Sequence, residues 1–114
     1  MTANIQSLKT LNLSRMQIGV GEMNDLKPFL TESSVLQSLN LYDNKLGVEG
    51  ARVLAEALSL NSSLQNLDIG CNRIRNKGMK AISEGLYGEN SKSNLRVLVV
   101  KNNFINEKGF KTFV

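Results

Sequence analysis

Histidine and tryptophan are absent from this chain, and cysteine and proline each occur once. Without histidine there is no Ser-His-Asp triad, no Cys-His pair, no imidazole metal site and no side chain that ordinarily titrates near neutrality. A single cysteine excludes an internal disulfide and any zinc site built from several thiolates. Aromatic residues make up only 5% of the chain. No run of about 18 apolar residues occurs, so no segment reads as a membrane-spanning helix. The opening residues, Met1-Thr2-Ala3-Asn4-Ile5-Gln6, lack the basic start and apolar centre of a secretory signal. A free thiol without a signal favours a reducing compartment, so a cytoplasmic or nuclear setting is expected. In that setting the glycosylation patterns Asn12-Leu13-Ser14 and Asn61-Ser62-Ser63 read as chance matches. No Gly-rich phosphate loop is present: Gly19-Val20-Gly21 lacks a third glycine and no Gly-Lys-Ser/Thr follows. These absences remove most enzyme chemistry, and neither a cofactor nor a metal is expected.

What the chain does contain is a repeat, which has to be found before any secondary structure is assigned. Leu8-x-x-Leu11-x-Leu13-x-x-Met16-x-Ile18 returns as Leu36-x-x-Leu39-x-Leu41-x-x-Asn44-x-Leu46. It returns again as Leu64-x-x-Leu67-x-Ile69-x-x-Asn72-x-Ile74 and as Leu95-x-x-Leu98-x-Val100-x-x-Asn103-x-Ile105. First positions are separated by 28, 28 and 31 residues in a chain of 114. One domain, 1–114, is therefore expected, with repeats at 8–35, 36–63, 64–94 and an incomplete one at 95–114.

Each residue type in the unit has a mechanical reason. Two apolar residues spaced by two, such as Leu39 and Leu41, share one face of a short strand. That face turns inward, and strands of successive repeats pair in parallel. The ninth position is where the chain leaves the strand, and a buried amide there can bond backbone groups that the turn leaves unpaired. Asn44, Asn72 and Asn103 are thus expected to form a ladder, which the Met16 thioether cannot join.

The second half of each unit has helical spacing. Ala51, Leu54, Ala55 and Leu58 are apolar at i, i+3, i+4 and i+7 behind Gly50. Met79, Ile82 and Leu86 repeat the pattern behind Gly78, and Gly109, Phe110 and Phe113 begin it before Val114. The first repeat is irregular: Glu22 replaces the glycine, and Pro28 falls among Met23, Leu26 and Leu30. Proline is tolerated in the first helical turn, so this helix is expected to start late or break. Gly88-Glu-Asn-Ser-Lys-Ser-Asn94, which carries the three extra residues of the third repeat, is expected to be an exposed loop.

From about Ile5 to Val114 this pattern resembles the ribonuclease-inhibitor-like class of leucine-rich repeats, and Gly47–Leu58 is close to the family's convex segment. The resemblance implies an α/β fold: a right-handed βα solenoid with parallel strands on the concave face and helices on the convex face. It differs in having few units and no recognisable caps. Leu98, Val100, Ile105, Phe110 and Phe113 line the last unit, while at the other end Ile5 offers slight cover. Self-association through the C-terminal repeat, or membership of a longer array, is the expectation.

In such a stack inward residues hold the coil and outward ones are free for function. The third, fifth and seventh positions read Thr10, Asn12, Ser14; Ser38, Asn40, Tyr42; Asn66, Asp68, Gly70; and Val97, Val99, Lys101. Phe104 takes the place of Gln17, Lys45 and Arg73 in earlier repeats. Val97, Val99 and Phe104 read as a binding patch, or as a face covered by further sequence or another copy. Tyr42 is an interface residue type or a packed ring.

Charge is uneven. Residues 1–63 hold five basic and six acidic groups, and residues 64–114 hold nine and four. Arg73, Arg75, Lys77 and Lys80 attract an acidic partner or form a solvated face. Nucleic acid is not expected, because no aromatic residues interleave with these charges. Asp43 and Asp68 read as surface carboxylates, and Cys71 as an unreactive thiol.

The leading function is a protein-interaction scaffold using the concave face, with Tyr42, Asp68, Val97, Val99, Lys101, Phe104, Arg73 and Arg75 as candidate contacts. Similar repeats act as recognition arrays in ribonuclease inhibitors and intracellular innate immune receptors. The Ran GTPase-activating protein is also built from similar repeats, so regulation of a small GTPase through Asn72, Arg73 and Arg75 is an alternative. A third reading makes the chain one piece of a larger repeat protein.

Overall fold

Leu11, Leu39, Leu67 and Leu98 stand one repeat apart, and strand pairing brings them directly side by side. A computed structural model describes residues 7–113. Its elements alternate as β1 (Thr10–Asn12), α1 (Val20–Glu32), β2 (Ser38–Asn40), α2 (Gly47–Leu60), β3 (Asn66–Asp68), α3 (Arg75–Tyr87), β4 (Val97–Val99) and α4 (Glu107–Phe110), with a closing 3-10 turn at Lys111–Phe113. The sheet is four-stranded in the order β1-β2-β3-β4. All three pairings are parallel, with Leu11 opposite Leu39, Leu39 opposite Leu67 and Leu67 opposite Leu98. Each return to a neighbouring parallel strand needs a crossover, which the helix supplies. The helices accordingly pack in the same order, α1 on α2, α2 on α3 and α3 on α4.

The core runs between sheet and helices and is best covered in the middle. Leu36, Leu39, Leu41 and Leu54 of the second repeat and Leu67, Ile69, Ile74, Met79 and Ile82 of the third are fully buried. At the two ends Leu11, Leu13, Leu98, Val100, Ile105 and Phe113 are only partly buried against this core. Phe110, expected to line the last unit, is exposed. Ile5 and Val114 lie outside the described residues.

Helix α1 corrects the expectation of a late or broken helix. It runs unbroken for 13 residues with Pro28 inside it. Met23 and Leu30 are buried, and Leu26 and Phe29 pack against the core on either side of the proline. The ring itself lies on the exposed side, and the bond it removes would have ended at Asn24, which is also exposed. Tertiary anchoring thus outweighs a local cost of roughly 3 kcal/mol. Glu22 helps to start this helix, its carboxylate accepting the Gly19 amide at 2.8 Å. That bond holds the Glu22 carboxyl below its ordinary value. Its contribution is therefore present above the unfolded carboxyl value and is lost as pH falls through the folded one.

The turns from helix back to strand have their own buried amide. Asn61 donates to the Leu30 and Ser33 carbonyls at 2.6 and 3.2 Å and accepts the Ser63 and Leu64 amides at 2.9 and 2.8 Å. With this side chain buried and fully engaged, the acceptor pattern at Asn61 is closed in the folded protein. The Gly88–Asn94 segment is mainly exposed and is tied down where the Lys92 amide reaches the Ser59 carbonyl at 2.8 Å.

Candidate functional site

Where each strand ends, the ninth residue decides how the chain turns. Asn44, Asn72 and Asn103 are all buried at this point. Asn44 donates to the Leu41 carbonyl of its own repeat and the Leu13 carbonyl of the one before, both at 2.9 Å. Its oxygen accepts the Met16 and Ile18 amides at 3.0 Å each. Asn72 donates to the Ile69, Leu41 and Gly70 carbonyls at 3.1, 2.8 and 3.0 Å and accepts the Leu46 amide at 3.3 Å. Asn103 donates to Val100 and Ile69 at 2.9 and 2.8 Å and accepts the Asn72 and Ile74 amides at 2.7 and 3.2 Å. Each amide therefore ties its own turn to the preceding one. The interior exit carbonyls, Leu41 and Ile69, each take two such bonds. Met16, at the corresponding place in the first repeat, is 59% exposed.

Outward positions on the strands divide into two kinds. At the fifth position, Asn12, Asn40 and Asp68 bend back to accept the amide two residues on, at 3.0, 2.9 and 2.9 Å. Asp68, a candidate contact, thus spends one oxygen on the Gly70 amide. Val99 interrupts this series with an apolar side chain. Val97 and Val99 border a shallow groove of about 200 Å³ on the strand face, with Ser38, Asn40, Asn66 and Asp68 on its other walls.

Tyr42 lies across the end of the neighbouring strand. Gly70 makes room for it, since a Cβ at Gly70 would stand 3.0 Å from the ring Cδ1. The Arg15 guanidinium and the Lys101 ammonium approach the ring at 5.8 and 5.6 Å from its centroid. A hydrogen bond with the Cys71 side chain, followed by the charge of that group, raises the Tyr42 hydroxyl above its ordinary value, against an opposing pull from Arg15.

Beyond Tyr42, along the rim formed by the strand-to-helix turns, runs a second and larger groove of about 840 Å³. Its walls are the eighth and tenth residues of all four repeats: Arg15 and Gln17, Asp43 and Lys45, Cys71 and Arg73, Asn102 and Phe104. Seven of these eight, all but Lys45, have φ between 54° and 58°. The left-handed turn swings their side chains out along the rim, at about 1–2 kcal/mol per residue of local strain. Phe104 is 67% exposed, and Arg75 holds its guanidinium 5.1 Å from the ring centroid.

The candidate contacts thus fall into two neighbouring grooves rather than one patch. Val97, Val99 and Asp68 border the first, and Arg73 and Phe104 the second, with Arg75 stacked on Phe104. Tyr42 and Lys101 stand together between them. Lys77 and Lys80 are exposed on α3. Sequence reasoning did not assign Arg15, Lys45 and Asn102 to a site. Aligning the repeats beyond the ninth residue is the signal that finds them. Among the described residues no helix is long and apolar enough to cross a membrane, and no group of three or more acidic or thiol side chains is placed to hold a metal ion.

With this geometry in view, the family model for the leucine-rich repeat matches residues 32–55 and 60–83. Two of its units thus match the leucine-rich repeat, and the alternating parallel strands and helices form a leucine-rich repeat α/β fold. Among solved structures, a tropomodulin C-terminal domain from Caenorhabditis elegans is similar, with a TM-score of 0.70 at 16% sequence identity. The match covers 90% of this chain and 60% of that one, so this chain spans about three fifths of its neighbour's length. No curated protein sequence matches at a significant level.

Proposed function

We propose that the chain is a non-catalytic protein-recognition module of the ribonuclease-inhibitor-like class, acting in a cytoplasmic or nuclear setting and taking its partner on the strand face and the adjoining rim. Apolar exposure on an otherwise polar array carries this reading: Val97 is 49% exposed beside Val99, where the preceding repeats place Thr, Ser, Asn or Asp. The core asks nothing of these positions, so their side chains are free to specify a partner. Tyr42→Ala and Val99→Glu are expected to reduce capture of a partner at least roughly tenfold, with the melting temperature little changed. Arg52→Glu on the convex side is expected to leave capture intact. Capture lost with Arg52→Glu and kept with the other two moves the site to the helices. The small-GTPase alternative has less support, because Asn72 is fully buried and spent on backbone bonds, leaving only Arg73 and Arg75 exposed on that turn.

A second reading, self-association through the C-terminal repeat, has an observation of its own. In the third repeat the Ile69, Cys71, Asn72 and Ile74 amides are all accepted by the fourth. Their counterparts Val100, Asn102, Asn103 and Ile105 have no acceptor among the described residues, and the flank beside them is only partly covered. Head-to-tail stacking is opposed by Met16, which offers no amide oxygen to the Asn103 and Ile105 donors. Contact through the apolar flank is the form proposed. Sedimentation is expected to show concentration-dependent association that Phe110→Ser weakens; a monodisperse monomer at millimolar concentration contradicts it.

A further inference from the structure

The net charge of the chain is concentrated in one place. The sequence holds 14 basic and 10 acidic residues. Arg15, Lys45 and Arg73 line the rim groove, and Arg75 and Lys101 reach its edge over Phe104 and Tyr42. Asp43 is the one carboxylate in that groove, and it is paired with Arg15 at 3.6 Å. Removing these five cations and one anion leaves nine of each sign for the rest of the chain. Elsewhere several cations are matched locally, Lys27 with Glu56, Arg52 with Glu49 and Lys111 with Glu107. The rim is the electropositive site on an otherwise balanced molecule.

Its shape narrows the choice of partner. Neighbouring strands stand about 4.8 Å apart, so four turns span roughly 14 Å, the length of about four extended residues. The groove crosses the strand ends, and its Phe104 end is apolar. Three of the five cations, Arg15, Arg75 and Lys101, stand against aromatic rings, which lowers the ordering cost of binding. Asp43 in the middle of the groove sets a carboxylate among the cations, which opposes a continuous phosphate backbone and is tolerated by separate carboxylates. We propose that the rim groove binds a short extended acidic peptide of a partner protein, with carboxylates on Lys45 and Arg73 and an apolar side chain against Phe104. This rests on the recognition reading above and adds the chemistry of the partner.

The test begins with a random phage-displayed decapeptide library selected on the full chain, the winners being measured by fluorescence anisotropy. Enriched peptides are expected to carry an excess of Asp and Glu together with an apolar residue, and to bind more weakly as salt rises. Lys45→Glu and Arg73→Glu are each expected to weaken binding about tenfold, and Phe104→Ala several-fold. Lys80→Glu on α3, an equal change in net charge, is expected to have little effect. Circular dichroism identifies any variant that has lost its fold, and Lys45→Gln and Arg73→Gln then replace it, with a smaller loss in the same direction. Neutral or basic winners overturn the proposal, as do acidic winners that bind the rim variants and Lys80→Glu alike, or a labelled oligothymidylate that binds as tightly as the best peptide. If acidic peptides fail while Val99→Glu still abolishes partner capture, the rim inference falls and the strand-face reading stands.

Discussion

Replacing Asn72 with alanine is expected to lower the stability of the fold by about 1–3 kcal/mol, a drop of roughly 4–8 °C in melting temperature per kcal/mol. The cause is specific. Removing the side chain leaves the Leu46 amide without its acceptor in a buried place. Carbonyls that lose an Asn72 bond each keep another: Leu41 keeps Asn44, Ile69 keeps Asn103, and Gly70 keeps the Asp43 amide. This sharing predicts a coupling as well. In the Asn44→Ala, Asn72→Ala double variant the Leu41 carbonyl loses both ladder amides, so the double cost is expected to exceed the sum of the singles. Thermal or urea unfolding of the four proteins measures it. An unchanged melting temperature for Asn72→Ala contradicts the role assigned to the buried amide.

Gly85→Ala is expected to destabilise the fold by up to about 2 kcal/mol although it adds one methyl group. In α3 a Cβ at this position would lie 2.5 Å from the Ala55 carbonyl oxygen and 3.1 Å from its Cα. The obstacle is backbone, so no rotamer change relieves it, and α2 and α3 have to separate. Overpacking of this kind costs typically about 1–3 kcal/mol, opposed by the better helix propensity of alanine at about 1 kcal/mol. Gly21→Ala in α1, where an added Cβ meets nothing, is the comparison, and there alanine is expected to stabilise. If both substitutions stabilise the protein, the α2–α3 contact is looser than described.

Much of this architecture is legible in the sequence because the leucine period encodes it directly. Leu39 beside Leu67 and Asn72 beneath Asn103 follow from spacings of 28 and 31 residues, which are also the strand registers. Pro28 misled because a local rule was applied where the buried anchors Met23 and Leu30 set the helix. The rim was hidden for a different reason. Hydropathy patterns report which residues turn inward, and they carry no signal for a left-handed backbone at Arg15, Gln17, Cys71 or Phe104. Lacking that, Arg15 and Lys45 are assigned to no site, and Phe104 groups with Val97 and Val99. The packing of Tyr42 on Gly70 was equally unreadable, since it depends on a missing side chain one repeat away.

Recognition by the strand face and rim, with the helices as support, is tested most directly by site-specific photocrosslinking. Benzoylphenylalanine is placed at Phe104 in one protein and at Arg52 in another, and both are irradiated in cell extract. Both sites are exposed, Phe104 on the rim and Arg52 on the outer side of α2. A discrete crosslinked species from position 104, absent from position 52 and lost on adding Val99→Glu, is the predicted result. A discrete species from position 52 with none from position 104 contradicts the account.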